Sequence, residues 1–176
     1  MAPTLPMLHA APAAGFDAPF DMLAACHDRV ERSLALLERL AAHLPAHGAD
    51  AAARDAARDV LRYFDLAAPH HHQDEERHVL PALRAAGQGG LADRVVAEHA
   101  ALVTAWAALR PGLQALADSA TMPDPQRDGW AAFCAAYRTH AAFEDTQVFA
   151  PARVLLDAAA QAAMGREMAA RRGVTL

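Results

Sequence analysis

Several features that mark other protein classes are missing from this sequence of 176 residues. It has only two cysteines, Cys26 and Cys134, which are too few for a disulfide framework and form no CxxC pair. No apolar run approaches the roughly 20 residues that a membrane-spanning helix needs. The N-terminal stretch has neither a basic start nor a continuous apolar segment, so no signal peptide is expected. We therefore expect a cytoplasmic protein that does not associate with membranes.

An excess of positive charge is also missing. The formal net charge is −5, whereas proteins that bind nucleic acids usually present clustered Lys and Arg, so we expect no nucleic-acid partner. Hydrophobic residues make up 54% of the chain, and many of them are alanine. Alanine loses no side-chain entropy when it is ordered, and β-branched residues are few, so the composition favours helices. The length fits a single domain.

Apolar residues recur every three or four positions along four long stretches, which predicts four amphipathic helices. The predicted helices cover roughly 17–44, 51–86, 91–117 and 126–158, with bends expected at Pro69, Pro111 and Pro151. Short connections predict an all-α fold, an up-down-up-down four-helix bundle over 17–160. We expect 1–16 to be a flexible N-terminal tail. Residues 161–176 are predicted to be a C-terminal extension with a short helix, in which "REMAARRG" forms a solvated face.

Each predicted helix carries one histidine within its otherwise apolar stripe. A buried imidazole needs a partner for its ring nitrogens. A single histidine of this kind is more often a satisfied core residue than a ligand. One on every helix predicts a shared polar site in the middle of the bundle, formed by His27, His71, His99 and His140.

Two of these histidines are followed, one helical turn later, by a glutamate. Glu75 lies four residues after His71, and Glu144 lies four residues after His140, so each pair shares a helix face. The surrounding segments "HHHQDEERHVLP" and "HAAFEDTQVFAP" are similar when His71 is placed on His140. The chain therefore looks like two helical hairpins, each with one lone histidine and one HxxxE pair.

Four imidazoles and two carboxylates form a ligand set typical of iron or manganese, with the carboxylates shared between two cations. No cysteine lies at the matching level of a stripe, which argues against a structural zinc site. The apolar core would limit the access of water and so influence the redox potential.

The sequence resembles the hemerythrin-like HHE cation-binding family in the segments "CHDRVERSLALLERL", "YFDLAAPHHHQDEERHVLPAL", "AEHAALVTAWAAL" and "YRTHAAFEDTQVFAPAR". They stand in the family's order and span roughly residues 20–155. The resemblance implies a four-helix bundle around two iron ions (Fe2+/Fe3+) with an oxo or hydroxo bridge, for which manganese or zinc could substitute. It implies four terminal histidine ligands and two bridging glutamates, namely His27, His71, His99 and His140 with Glu75 and Glu144.

One departure from the family bears on function. Oxygen-carrying hemerythrins have two histidines one turn apart on the third helix, whereas the residue four after His99 is Val103. With four histidines, both irons would keep open or water-filled positions. This favours a protein that reacts with or senses oxygen, nitric oxide or the redox or iron state. The alternatives are a di-iron peroxidase or oxidase and an iron storage or handling protein. The expected partners are a small diatomic ligand or peroxide, and a separate redox or signalling protein.

The residues next to the predicted ligands leave alternatives open. His70 and His72 point away from His71 and are predicted to be half-exposed, although a shift of register to His72 and Glu76 is an alternative. His78 shares the face of His71 and could support or replace a ligand.

Three further residues lie close to ligands in the sequence. Tyr137, three residues before His140, is interpreted as a packed aromatic, with hydrogen bonding near the metals as the alternative. Glu98 and Asp28 each adjoin a predicted ligand and are predicted to be surface charges.

Overall fold

The computed structural model describes residues 15–119 and 127–175, and all regular structure in these ranges is helical. Most of the predicted N-terminal tail and the loop after the third helix lie outside the described residues. Helix α1 is Pro19–His47, α3 is Gly89–Ser119 and α5 is Ala158–Arg171. Helix α2 covers 51–85, with α-helical segments Ala51–Arg62, Ala68–Asp74 and Leu80–Ala85 joined by π-helical turns Tyr63–Ala67 and Glu75–Val79. Helix α4 covers 127–155, with segments Arg127–Phe143 and Phe149–Leu155 joined by the π-helical turn Glu144–Val148.

The first four helices form the predicted bundle. Helices α1 and α3 each pack against both α2 and α4. The connections at 48–50 and 86–88 are short, so consecutive helices run in opposite directions. The predicted all-α, up-down-up-down architecture is confirmed. Among the described helices, none combines the length and the hydropathy that crossing a bilayer requires.

The turn between α1 and α2 follows from three residues. Helix α1 continues through Pro45 and ends at His47. Gly48 follows with φ of +65°, a conformation that side chains with a Cβ rarely adopt. The Asp50 carboxylate then accepts a hydrogen bond at 2.8 Å from the N–H of Ala53 and caps α2.

The bends predicted at two prolines are π-helical turns. Proline has no N–H to donate, so the regular hydrogen-bond ladder cannot continue through it. Pro69 and Pro151 each lie within three residues after a π-helical turn, and Pro81 does so as well. In two of these turns the first carbonyl belongs to a predicted bridging glutamate: Glu75 accepts from the N–H of Leu80, and Glu144 accepts from the N–H of Phe149.

The hydrophobic core is divided into two clusters. One includes Leu34, Val60 and Trp130 and fills the half of the bundle nearer the α1–α2 turn. The other includes Leu23 and Val95 and fills the opposite half. The four histidine-bearing levels of the helices lie between these clusters, so a polar layer is enclosed by apolar side chains on both sides.

Helix α5 closes the second half of the bundle. Met164 and Met168 are buried in its cluster. A Cβ built on Gly165 would lie 1.8 Å from the carbonyl oxygen of Phe16, so only glycine permits the backbone preceding α1 to lie this close to α5.

The C-terminal basic residues bind a buried acid. Asp74 is fully buried, and both Arg171 and Arg172 donate to its carboxylate, with Arg172 Nη2 at 2.7 Å from Oδ2. The prediction that "REMAARRG" is a solvated helix face is therefore wrong. An arginine on a solvated face and one paired with a buried carboxylate look alike in sequence, because the partner lies about 100 positions away along the chain.

Candidate metal centre

The six residues predicted from the histidine stripes meet in one buried layer. The bundle brings one imidazole from each of α1–α4 to the same level, and the HxxxE spacing adds a carboxylate from α2 and from α4. All six side chains are buried: His27, His71, Glu75, His99, His140 and Glu144.

Glu144 contacts imidazoles on two sides. Its Oε2 lies 3.2 Å from Nε2 of His27. Its Oε1 lies 3.2 Å from Nε2 of His140 and 3.4 Å from Nε2 of His99. The two oxygens of this one carboxylate therefore contact different imidazoles: Oε2 contacts that of α1, and Oε1 contacts those of α3 and α4.

Glu75 repeats this arrangement from α2. Its Oε1 lies 3.3 Å from Nε2 of His71, and its Oε2 lies 3.2 Å from Nε2 of His99. The Nε2 atoms of His27 and His71 are 3.0 Å apart. One oxygen of each glutamate thus belongs to a group with His27 and His71, and the other oxygen belongs to a group around His99.

The outer ring nitrogens of three imidazoles are held by further carboxylates. A donated Nδ1–H leaves Nε2 free to point into the layer, and partners of this kind orient metal-bound histidines. His27 donates to Asp145 at 2.9 Å, His99 to Glu76 at 2.8 Å and His140 to Glu98 at 2.9 Å.

Two expectations about acidic neighbours are settled by these contacts. Glu98 was expected to be a surface charge, and that prediction is wrong because it holds His140. Asp28 is exposed, as predicted. The sequence does contain a signal for two of the partners, since Glu76 and Asp145 each directly follow a glutamate of an HxxxE pair.

A fifth imidazole, that of His72, lies in the layer although the sequence predicts it to be half-exposed. His72 is buried, so the prediction of a half-exposed side chain is wrong. Its ring stacks on that of His99 with the centroids 3.9 Å apart. Tyr137 Oη lies 3.0 Å from Nε2 of His72, which answers the question left open for this tyrosine: it is packed and also hydrogen-bonded. His72 thus adds a fifth imidazole beside His99.

The potential ligand atoms fall into two groups, each with its atoms within 4.8 Å of one another. Among the described residues, neither group contains a cysteine. The first group is His27, His71, Glu75 and Glu144, and the second is His72, His99 and His140.

Several atoms of this layer are buried without a hydrogen-bond partner in the described structure. They are both carboxylate oxygens of Glu75, Oε1 of Glu144 and the Nε2 atoms of His99 and His140. Buried polar atoms are costly unless they are paired. These particular atoms converge, and carboxylate oxygen and imidazole nitrogen are donors that bind divalent cations. The layer therefore fits metal ions.

Two of the histidines, His27 and His99, have pKa values raised far above the ordinary value. Burial disfavours the charged ring of His27, but hydrogen bonds to Asp145 and Glu144 outweigh it and raise the pKa of His27 to about 10. Burial likewise opposes charge on His99, while the contacts of its Nε2 with Glu144 at 3.4 Å and Glu75 at 3.2 Å raise its pKa to about 10.

The other three imidazoles favour the neutral form. Burial, followed by the charge of His27, lowers the pKa of His71 well below its ordinary value. Burial and the charge of His99 lower the pKa of His72 to about 3. Burial also lowers the pKa of His140. Neutral imidazole is the form that binds metals.

The two glutamates differ. Burial and the negative charge of Glu144 raise the pKa of Glu75. Burial also opposes charge on Glu144, but the hydrogen bond from His27 and the contact with His99 outweigh it and lower the pKa of Glu144. Glu144 is thus stabilised by positive charge, and a cation shared with Glu75 would offset the repulsion between the two carboxylates.

His78 does not join this layer. Its Nε2–H donates to Glu167 of α5 at 2.7 Å. His78 therefore neither supports nor replaces a ligand next to His71, as the sequence had left open, because its side chain faces the C-terminal helix. His70 is half-buried, as predicted, and belongs to neither group of potential ligands.

Comparison with known proteins gives a family and a relative. The sequence model described as "Hemerythrin HHE cation binding domain" matches residues 18–152, which is most of the chain and includes all the residues of the layer. A protein of Haemophilus influenzae (strain ATCC 51907 / DSM 11121 / KW20 / Rd), described as an uncharacterized protein, is 34% identical over 163 residues, covering 92% of this chain and 94% of its own length.

Proposed function

This chain belongs to the hemerythrin HHE cation-binding domain family, and we propose that it binds two iron ions and uses them to bind or react with a small diatomic molecule or peroxide. The observation that carries the proposal is the split contact of both carboxylates. Each of Glu75 and Glu144 directs one carboxylate oxygen to the first group of potential ligands and the other oxygen to the second group. A carboxylate arranged in this way can bridge two cations.

The assignment of ligands follows from the two groups. His27 and His71 would hold one iron, and His99, His140 and His72 would be available to the other. Only the second group offers a third imidazole, so the two iron positions would differ. Iron is favoured because the donors are imidazole and carboxylate without a thiolate.

The residues of the chain would orient the ligands and surround them with largely apolar side chains. Bound iron supplies electrons and open coordination positions to a small oxidant. The Nδ1 contacts to Asp145, Glu76 and Glu98 keep the inner nitrogens of three imidazoles directed at the metals. The hydrophobic clusters cover the layer from both ends of the bundle and limit the access of water from those two directions.

Iron content tests the proposal directly. Protein expressed with added iron should contain close to two iron ions per chain by elemental analysis. His71→Ala and His140→Ala should lower this content, since each removes one imidazole from a different group. His47→Ala is the matched control, because His47 is an exposed histidine at the α1–α2 turn. Iron-free wild-type protein, or unchanged content in both site variants, would contradict the proposal.

Rapid mixing of the reduced, iron-loaded protein separates the functional alternatives. A visible absorbance change with oxygen or nitric oxide that reverses when the gas is removed supports binding or sensing. Continuous consumption of peroxide in the presence of a reductant supports an enzyme. Iron that is bound without any response to these reagents supports storage or a structural role and contradicts the proposed reactivity.

A further inference from the structure

A cavity of about 410 Å³ opens between α2 and α3 and extends inward to side chains of α4. We call it the α2/α3 cavity. Its inner wall includes the buried residues Phe64, His72, His99, Phe133 and Tyr137. This volume lies within the range of about 300–1,000 Å³ that is typical of pockets for small organic ligands. The cavity therefore extends from the surface to the edge of the metal-binding layer.

Aromatic rings dominate the inner wall. Phe64 packs against Trp106 with ring centroids 5.0 Å apart, and against Phe133 at 5.1 Å and Tyr137 at 5.4 Å. The indole N–H of Trp106 donates to Asp65 at 2.9 Å, which fixes the orientation of that ring. Offset and edge-to-face contacts with aromatic walls favour a planar aromatic guest over an aliphatic one of the same size.

The inner end of the cavity carries a polar pair. Tyr137 Oη and His72 Nε2 lie within hydrogen-bond distance of each other. A phenolic oxygen has more hydrogen-bonding capacity than one contact uses. An apolar pocket with a few convergent polar atoms is the usual form of a site that orients a small ligand. A guest with one hydroxyl group could therefore be oriented with that group toward the pair.

The rim carries a carboxylate and apolar side chains. Glu76, whose side chain is 45% exposed, lies at the rim and accepts from His99. A fixed negative charge here disfavours an anionic guest. Val103 is 60% exposed and Val96 is 42% exposed, so the entrance presents apolar surface to the solvent. These features select a neutral ligand with a hydrophobic body.

We propose that the α2/α3 cavity binds a small neutral aromatic molecule of the phenol class, with its ring packed against the Phe64–Trp106 pair and its hydroxyl toward Tyr137. Binding itself requires only the described side chains. Its connection to chemistry rests on the proposed function, because the guest would lie beside His99, a predicted iron ligand. In that setting the cavity would admit an organic co-substrate or regulator next to the metal centre.

The test uses 4-fluorophenol and the full-length, iron-analysed protein. Fluorine NMR line broadening of the probe should show saturable binding. Ala100→Leu adds bulk at an exposed alanine that lines the cavity and should weaken binding about tenfold or more. Ala97→Leu is the matched control, an exposed alanine on the same helix that does not line the cavity, and should leave affinity within about twofold. Val103→Trp, at a strongly exposed position, provides a second blocking variant.

Competition defines the class of ligand. Phenol should displace the probe, whereas cyclohexanol and benzoate at the same concentration should not. Absence of saturable binding, displacement by cyclohexanol as effective as by phenol, or equal weakening by Ala97→Leu and Ala100→Leu would overturn the proposal. A dimer in solution that Val103→Trp dissociates would also overturn it, because another copy would then fill the entrance. Iron content is measured separately, so probe binding without iron contradicts only the proposed function, and iron without probe binding contradicts only this inference.

Discussion

An ion pair between a buried acid and two arginines joins α5 to the bundle. Removing the arginines should lower the stability of the protein more than removing the acid. Asp74 is fully buried, while the side chains of Arg171 and Arg172 are 14% and 18% exposed. Arg171 also donates to Glu167 at 2.7 Å. If the carboxylate is removed, the arginines keep other contacts and can reach solvent. If the arginines are removed, the carboxylate stays buried with no cation to pair it.

The expected magnitudes follow from this asymmetry. Replacing both arginines by methionine preserves most of the apolar stem and leaves a buried, uncompensated charge, which costs about 3–5 kcal/mol. Asp74→Ala removes hydrogen bonds to charged groups that can be resolvated, for which we expect about 1–3 kcal/mol. The double arginine variant should therefore be less stable than Asp74→Ala by about 2 kcal/mol. Combining all three substitutions should recover part of this loss, because no buried charge remains unpaired.

Urea unfolding followed by far-ultraviolet circular dichroism measures these differences, with metal content matched between samples. Bound metal stabilises the native state by mass action, so unequal loading would distort the comparison. Equal losses from the two sides, or a triple variant whose loss is the sum of the others, would refute the reasoning. Either result would mean that the carboxylate finds solvent or another donor when the arginines are gone.

Two further predictions concern contacts of acidic residues. Glu98→Ala should weaken iron binding about 10–100-fold in a chelator competition assay, because it frees the outer nitrogen of His140. The control is Asp28→Ala, which removes an exposed acid beside a predicted ligand and should leave iron binding unchanged. Equal effects of the two substitutions would contradict the role of Glu98 in holding His140. Hydrogen bonding to Arg171 lowers the pKa of Glu167 to about 2, so its stabilisation is complete above its ordinary pKa near 4.5 and is lost as the pH falls toward 2. The side chain of Glu167 is one-third exposed, so solvent screening reduces its contribution to stability to about 1 kcal/mol. Glu167→Gln should therefore reduce by about that amount the fall in unfolding free energy between neutral and acidic pH. An unchanged pH dependence would argue against this contribution of Glu167.

The helices could be predicted because burial repeats at helical spacing. Leu34, Leu37 and Val30 recur on one face of α1 and are all buried. The ends were less predictable, because Pro45 lies within α1 and the helix ends only where Gly48 takes a positive φ. Proline lacks the N–H that a helix uses, so Pro45 predicts a break, but the helix continues for two more residues to His47.

The six site residues could be predicted because each lies on the core-facing side of its helix. The carboxylates that bind their outer ring nitrogens could not all be predicted from this pattern. Glu98 binds His140 across 42 positions of sequence, and its own helix face appears solvated from spacing alone. His72 was missed for a different reason. The interior of a bundle spans an arc of more than 100°, so two consecutive residues such as His71 and His72 can both point inward, one to each group of potential ligands.

The π-helical turns explain why the prediction for His78 was wrong. The turns themselves could have been predicted from the spacing of buried residues in the sequence. In a regular helix each residue advances about 100°, so the seventh residue after His71 returns to the same face, while steps of four drift by about 40° each. The extra residue of the turn at Glu75–Val79 delays the phase by about one position. The eighth residue, Val79, then takes the inward place and is fully buried, while His78 is 20% exposed and faces Glu167.

The same phase shift occurs in α4. Val148, eight residues after His140, is fully buried, and so is Ala152, twelve residues after it. A regular helix would have carried Ala152 about 120° away from the face of His140, so steps of four that remain inward require an inserted residue. The two turns that cause these shifts, Glu75–Val79 and Glu144–Val148, each begin at a predicted bridging glutamate and are each followed by a proline that lacks an N–H. Core-facing residues can recur every four positions, beginning at a histidine, passing through a glutamate and ending near a proline. Such a pattern therefore predicts a π-helical turn and also predicts that the glutamate at its start points into the core.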